Sequence, residues 1–140
     1  MAEVEFGKLA TDRASSEDVK KFGQRMVDDH TKANDKLKQV AKNEGITLPD
    51  DLNAKDKATK ARLEKLSGKQ FDRAYMNDMV KDHIQDVAEF NRESKMAKDP
   101  DVKNFASQTL PTLQDHLKDA RSVDAEMGAR ASNHGSMRSQ

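Results

Sequence analysis

Imidazole is the side chain best suited to hold a transition metal or to carry a proton near neutral pH. Three of the four histidines in this chain fall on faces that the helical period turns inward. His30 lies on the row Gly23, His30, Leu37, beside the row Met26, Ala33, Val40. His83 lies on the row Met76, His83, Phe90, flanked by Val80 and Val87, and His116 on Thr109, His116, Val123, flanked by Leu113 and Ala120. His134 stands apart near the C-terminus. Each of the first three is close to the midpoint of its helix, or to the mirror position across a turn, so all three are expected in one layer. A short repeat agrees: Met26, Val27, Asp29 and His30 recur in order as Met79, Val80, Asp82 and His83.

A buried imidazole without a partner costs about 1–3 kcal/mol, so a layer of three needs carboxylates, hydroxyls, water or a metal. Asp86 follows His83 by three residues and Asp119 follows His116 by three, which puts each carboxylate on the face of its histidine. Glu3 or Glu5 and the single tyrosine, Tyr75, can also reach inward, and Tyr75 is expected to hydrogen-bond His83. The resulting metal set is His30, His83 and His116, with Glu3, Asp86 or Asp119 as supplementary ligands, for Zn, Fe or Cu. Met26, Met76 and Met79 could lend soft sulfur, although methionine at helical spacing more often fills a core. A non-metal reading stays open beside this one: a structural or interaction module whose histidines form a hydrogen-bonded polar layer. Asp28-Asp29 and Asp50-Asp51 lack the spacing of a calcium loop and read as solvated acidic pairs.

The elements that must position these residues are readable from caps. Glu3 to Arg13 forms a short first helix with Phe6, Leu9 and Ala10 on one face. Ser15 with Asp18 resembles a capping box that opens a long helix ended by Gly45. A connector through Pro49, Asp50, Asp51 and Asn53 leads to a short helix from Asp56 to Leu66. The lysines between Lys55 and Lys69 alternate with acidic and apolar residues, as on a solvated surface helix. Ser67 with Gln70 forms a second capping box for a helix reaching Ala97, and Asp99-Pro100 is a cap followed by a first-turn proline. The last helix carries Pro111, which is expected to kink it. The periodicities predict an all-α four-helix bundle over residues 1–127, with a long second connection carrying a short extra helix and an unstructured tail over 128–140.

Composition narrows the function classes. The 140 residues carry 25 Lys plus Arg against 25 Asp plus Glu, a formal net charge of zero, which removes the footprint of a nucleic-acid partner. The absence of cysteine excludes disulfides, thiolate metal sites and thiol nucleophiles. No apolar run approaches the roughly 18 residues that cross a bilayer. No glycine-rich phosphate loop is present, and no serine has a paired base at a recognisable position. A homodimer is expected if the short first helix leaves core exposed.

Four stretches carry a family resemblance: Glu3-Val4-Glu5-Phe6-Gly7-Lys8-Leu9-Ala10; Phe22-Gly23-Gln24-Arg25-Met26-Val27-Asp28-Asp29-His30; Leu66-Ser67-Gly68 with Phe71-Asp72-Arg73-Ala74-Tyr75-Met76; and Leu110-Pro111 with Leu113 and His116-Leu117. In this order the chain, over about residues 2–124, resembles the bacterial domain-of-unknown-function 4142 family. The resemblance implies a ferritin-like bundle that is usually exported, hence a periplasmic or exported protein. The chain as given opens directly in a helix pattern, so an export segment and the start of the first helix are expected upstream. No settled activity is implied. Ferritin-like di-iron enzymes place a Glu three residues before each metal-binding His. Here those positions are Val27, Val80 and Leu113, so a conventional di-iron oxidase is disfavoured. The expected function is transition-metal binding in the bacterial cell envelope, in metal or oxidative-stress handling, without enzymatic turnover.

Overall fold

A computed structural model describes residues 2–48 and 52–138, with side chains as far as residue 128. Pro49, Asp50 and Asp51 of the expected connector lie outside the described residues. The tail expected to be unstructured falls mainly where only backbone is described. Among the described residues there are five helices and no strand: α1 (Ala2–Arg13), α2 (Glu17–Glu44), α3 (Ala54–Glu64), α4 (Gly68–Met96) and α5 (Pro100–Arg138).

The helix ends follow local hydrogen bonding. α2 begins one residue later than the capping-box reading implies, because Ser16 is its N-cap and accepts from the Val19 amide at 3.4 Å. Ser15 is occupied elsewhere. Its amide and hydroxyl donate to Asp72 at 3.1 and 2.8 Å, and the Ser16 amide donates to the same carboxylate at 3.0 Å. Asp72 thereby ties the α1–α2 turn to the first turn of α4, which explains how a carboxylate that is 3% exposed can be accommodated. Gly45 closes α2 at φ 68°, a left-handed conformation that glycine adopts without steric cost.

α3 starts at Ala54 rather than Asp56, since the Asn53 side chain accepts from the Asp56 amide at 2.8 Å. Ser67 precedes α4 but makes no side-chain cap bond, so the second expected capping box is not formed. Asp99 does cap α5, accepting from the amides of Asp101 and Val102 at 2.8 and 3.2 Å. α5 continues through Pro111, which sits at an exposed position inside it.

Packing joins α1 to α2, α2 to α5, α5 to α4 and α4 to α1, so these four helices surround one core, with α3 laid against α1 and α4. The core is built from Phe6, Val19, Phe22, Met26, Leu63, Phe71, Tyr75, Met76 and Met79, with Ala120 and Val123 from α5. Phe71 stacks on Tyr75 at 5.6 Å, and Phe22 meets Tyr75 edge-on at 6.1 Å. The α1–α2 contact is closest at two glycines. A Cβ on Gly7 would meet the Gly23 carbonyl oxygen at 2.6 Å, and one on Gly23 would meet the Ala10 Cβ at 2.6 Å. Only hydrogen fits there, and this close crossing brings the start of α1 to the level of His30. No helix among the described residues is long and apolar enough to cross a membrane.

Candidate metal centre

Three helices of the bundle each contribute one imidazole to a single layer. His30 comes from α2, His83 from α4 and His116 from α5, at 8%, 0% and 0% exposure. Their ring centroids are 5.7 Å (His30–His83), 5.2 Å (His30–His116) and 5.6 Å (His83–His116) apart. One nitrogen from each ring lies within 4.8 Å of the other two, a group that could hold a metal ion. The predicted layer is present. Met26 and Met79, equivalent in the short repeat, are both fully buried core residues.

Hydrogen bonds at the outer nitrogens fix the tautomers of His83 and His116. His83 Nδ1 lies 2.8 Å from the Met79 carbonyl oxygen, which can only accept, so Nδ1 carries the proton and Nε2 a lone pair. His116 Nε2 lies 2.7 Å from Asp29 Oδ2 and donates to it, leaving Nδ1 with the lone pair. The free nitrogens of these two rings, His83 Nε2 and His116 Nδ1, and His30 Nε2 are buried and find no hydrogen-bonding partner among the protein atoms. Burial lowers the proton affinity of all three rings. It pushes His30 down to about 4, against the pull of Glu3 and with help from the other two imidazoles. His83 is lowered by burial despite its Met79 bond, and His116 is lowered by burial despite Asp29. At neutral pH the three rings are therefore neutral, as metal ligation requires. The contact between His116 and Asp29 is then a charge-assisted hydrogen bond rather than an ion pair.

Asp29, expected from the sequence to be a solvated acid, instead holds a buried ring. It is held by Arg25 at 3.5 Å, and Arg25 also reaches Asp119 at 3.4 Å. This is the carboxylate–histidine arrangement that orients metal ligands in many proteins. Its only sequence trace is the Asp directly before His30 in the repeat, and the equivalent Asp82 has a different neighbourhood.

The supplementary residues are distributed unequally. Glu3 stands on α1 close enough to His30 to raise its proton affinity against the effect of burial, and it hydrogen-bonds Asp86. Burial would raise the Glu3 carboxyl, but His30 and the Asp86 bond outweigh it and hold the group below its ordinary value. Asp86 moves the other way, to about 8, through burial and the neighbouring Glu3 charge, so it keeps its proton and donates to Glu3. Asp82 is raised to about 6, by burial first and then by Glu3, Asp78 and Asp56. Asp86 thus faces Glu3 rather than pairing with His83, and Asp119 faces Arg25 rather than His116. Neither belongs to the converging group, nor does Glu3. Sharing a helix face with a histidine does not ensure contact, because the neighbouring helix supplied the nearer partner in each case.

The expected Tyr75–His83 hydrogen bond is not made. The Tyr75 hydroxyl is buried without a partner, and the Phe22 ring lies edge-on to both Tyr75 and His83, at 6.1 and 6.3 Å. A second acidic group, Glu44, Asp99 and Asp101, forms at the surface where the end of α2 meets the start of α5. The connection between α4 and α5 brings it together, so nothing local in the sequence marked it.

No curated protein and no solved structure matches this chain. A family model does, over residues 1–123, a span that contains all three histidines, Glu3, Asp29 and the paired glycines. The chain belongs to the family described as "Domain of unknown function (DUF4142)".

Proposed function

We propose that this protein is a ferritin-like four-helix bundle that binds one transition-metal ion through His30 Nε2, His83 Nε2 and His116 Nδ1. The observation that carries the reading is the convergence of three buried ring nitrogens with no hydrogen-bonding partner. A structural histidine layer would be expected to pair its imidazoles with one another or with neighbours, whereas here only the outward nitrogens of His83 and His116 are paired. Three neutral nitrogens suit Zn, Cu or Fe, and three protein ligands leave a position for a further ligand on a four-coordinate ion. Such an ion supplies Lewis-acid or redox chemistry, and Glu3 is the supplementary donor we assign to it. The residues three before each histidine, Val27, Val80 and Leu113, are apolar, which disfavours a conventional di-iron oxidase. The ring of α1, α2, α4 and α5, with α3 on the long second connection, supports the ferritin-like assignment. The proposed setting is the bacterial cell envelope, in metal or oxidative-stress handling.

The test is elemental analysis of the protein purified without chelator, beside His83→Ala, with melting temperatures before and after adding Zn, Cu, Ni or Fe. Near-stoichiometric metal in the parent and its loss in the variant are expected. An ion at one hundred times its Kd stabilises the fold by about 2.7 kcal/mol. For a domain of this size that raises Tm by roughly 10 °C. Metal-free protein with no Tm response would mean that the histidines are a structural polar layer.

A further inference from the structure

The three histidines are buried, so an ion must approach them along some path. On the α5 side, the outer nitrogen of His116 is covered by Asp29, which Arg25 in turn links to Asp119. On the α4 side, the outer nitrogen of His83 is covered by the Met79 carbonyl, with the Phe22 ring against the imidazole. The α1 side is different. A cavity of about 660 Å³ opens there among α1, α2, α3 and α4, walled by Glu3, Asp56, Asp82 and Asp86, with Lys38 and Lys55 exposed at its rim. Glu3 lines the cavity together with Asn34, one turn beyond His30 on α2, and Asp86, one turn beyond His83 on α4, so the cavity lies one helical turn from the histidine layer. These carboxylates do not themselves converge into a group able to hold an ion; among the described residues that property belongs to the histidines and to Glu44, Asp99 and Asp101.

We infer that this carboxylate-walled cavity is the route by which a divalent transition-metal cation reaches the three histidines, with Glu3 as its inner end. The inference rests on the metal-binding reading above. Asp86 keeps its proton, so the negative charge of the wall is carried by Glu3, Asp56 and Asp82. Negative walls in a low-dielectric cleft concentrate cations and raise the association rate, by an amount that falls steeply with ionic strength. The histidines fix the affinity, and the wall fixes how quickly the ion arrives.

Stopped-flow uptake of Co²⁺ by the full chain, followed through its ligand-field absorbance, tests this. Asp82 adjoins a ligand, so substitutions at the exposed rim positions Gln85 and Lys55 carry the comparison. Gln85→Lys should slow association roughly tenfold at low salt, and Lys55→Glu should accelerate it by a similar factor. Both should retain the parent's binding stoichiometry. The differences should vanish near 0.5 M salt, where the screening length is only about 4 Å. Asp124→Asn, at an exposed position on α5 away from both the cavity lining and the histidines, should associate as the parent does. Parent-like rates for both rim variants at low salt would overturn the route while leaving the histidine site standing. Absence of Co²⁺ uptake by the parent would overturn the site and the route together.

Discussion

Replacing Asp29 by asparagine keeps the shape of the side chain and removes the charge that holds His116. The carboxylate accepts from His116 Nε2 at 2.7 Å, and that single bond decides which nitrogen of the ring faces the other histidines. An asparagine amide can present its oxygen, which preserves the tautomer, or its NH₂, which moves the ring proton to Nδ1 and removes the inward lone pair. Loss of such a partner typically weakens metal affinity about 10- to 100-fold, or about 1.4–2.7 kcal/mol. The Asp29 side chain is 29% exposed and also meets Arg25, so the lower end, about tenfold, is expected. Metal-free stability should change by less than about 1 kcal/mol, since the Arg25 pair is partly solvated. The assay is competition for Zn²⁺ against a chromophoric chelator at neutral pH, with Asp119→Asn as the control one step further out. A Kd for Asp29→Asn within about twofold of the parent, with His83→Ala abolishing binding, would refute the orienting role.

Stability should respond to pH in two opposed ways. His30 titrates near 4 when folded against about 6.5 when unfolded, so the unfolded chain takes the proton first. Stability is therefore full above about pH 6.5 and is lost as the pH falls toward 4, with His83 and His116 acting in the same direction. Asp86 does the reverse: folded it titrates near 8 against an ordinary 3.8, so its contribution is present in acid and is lost as the pH rises through 8. Asp86→Asn should then be more stable than the parent, by a margin that grows from pH 4 to 8 and reaches about 1 kcal/mol or more after solvent screening. Urea melts across that range check it, and a variant less stable than the parent at alkaline pH contradicts it. Gly23→Ala places a methyl 2.6 Å from the Ala10 Cβ and should cost about 1–3 kcal/mol despite alanine's better helix propensity, read as a fall in Tm. Ser16→Ala should cost about 1 kcal/mol through loss of the α2 cap, whereas Ser67→Ala, with no cap bond to lose, should be nearly neutral in the same melts.

Much of the fold was legible because helix signals are local. Gly45, Asp99-Pro100 and the inward rows of Phe22, Met26, Met76 and Leu113 each follow from side-chain types within a few turns of one another. The errors are also local in kind. Ser15 and Ser16 are equally good caps by type, and the choice between them fell to Asp72, a residue on another helix. Ser67 had the residue pattern of a capping box, yet its backbone leads into Gly68 at φ 60°, and the side-chain bond is not formed. The close glycine crossing of α1 on α2 was invisible, because a glycine inside a helix period carries no sign of what will approach it.

For the site, the order of residues was enough to put three imidazoles on interior rows at one height, since period and distance from a turn are properties of a single chain segment. It also determined that no carboxylate stands three residues before any of them. Which atom stands opposite each ring was decided only by the tertiary structure. Asp29 rather than Asp119 holds His116, Met79 rather than Tyr75 holds His83, and Asp86 turns to Glu3. The reason is directional. A helical period gives the face a side chain occupies, but a hydrogen bond requires a partner within about 3 Å along a particular lone pair. When several carboxylates share the interior, the crossing of the helices, here set by two glycines in contact, selects among them.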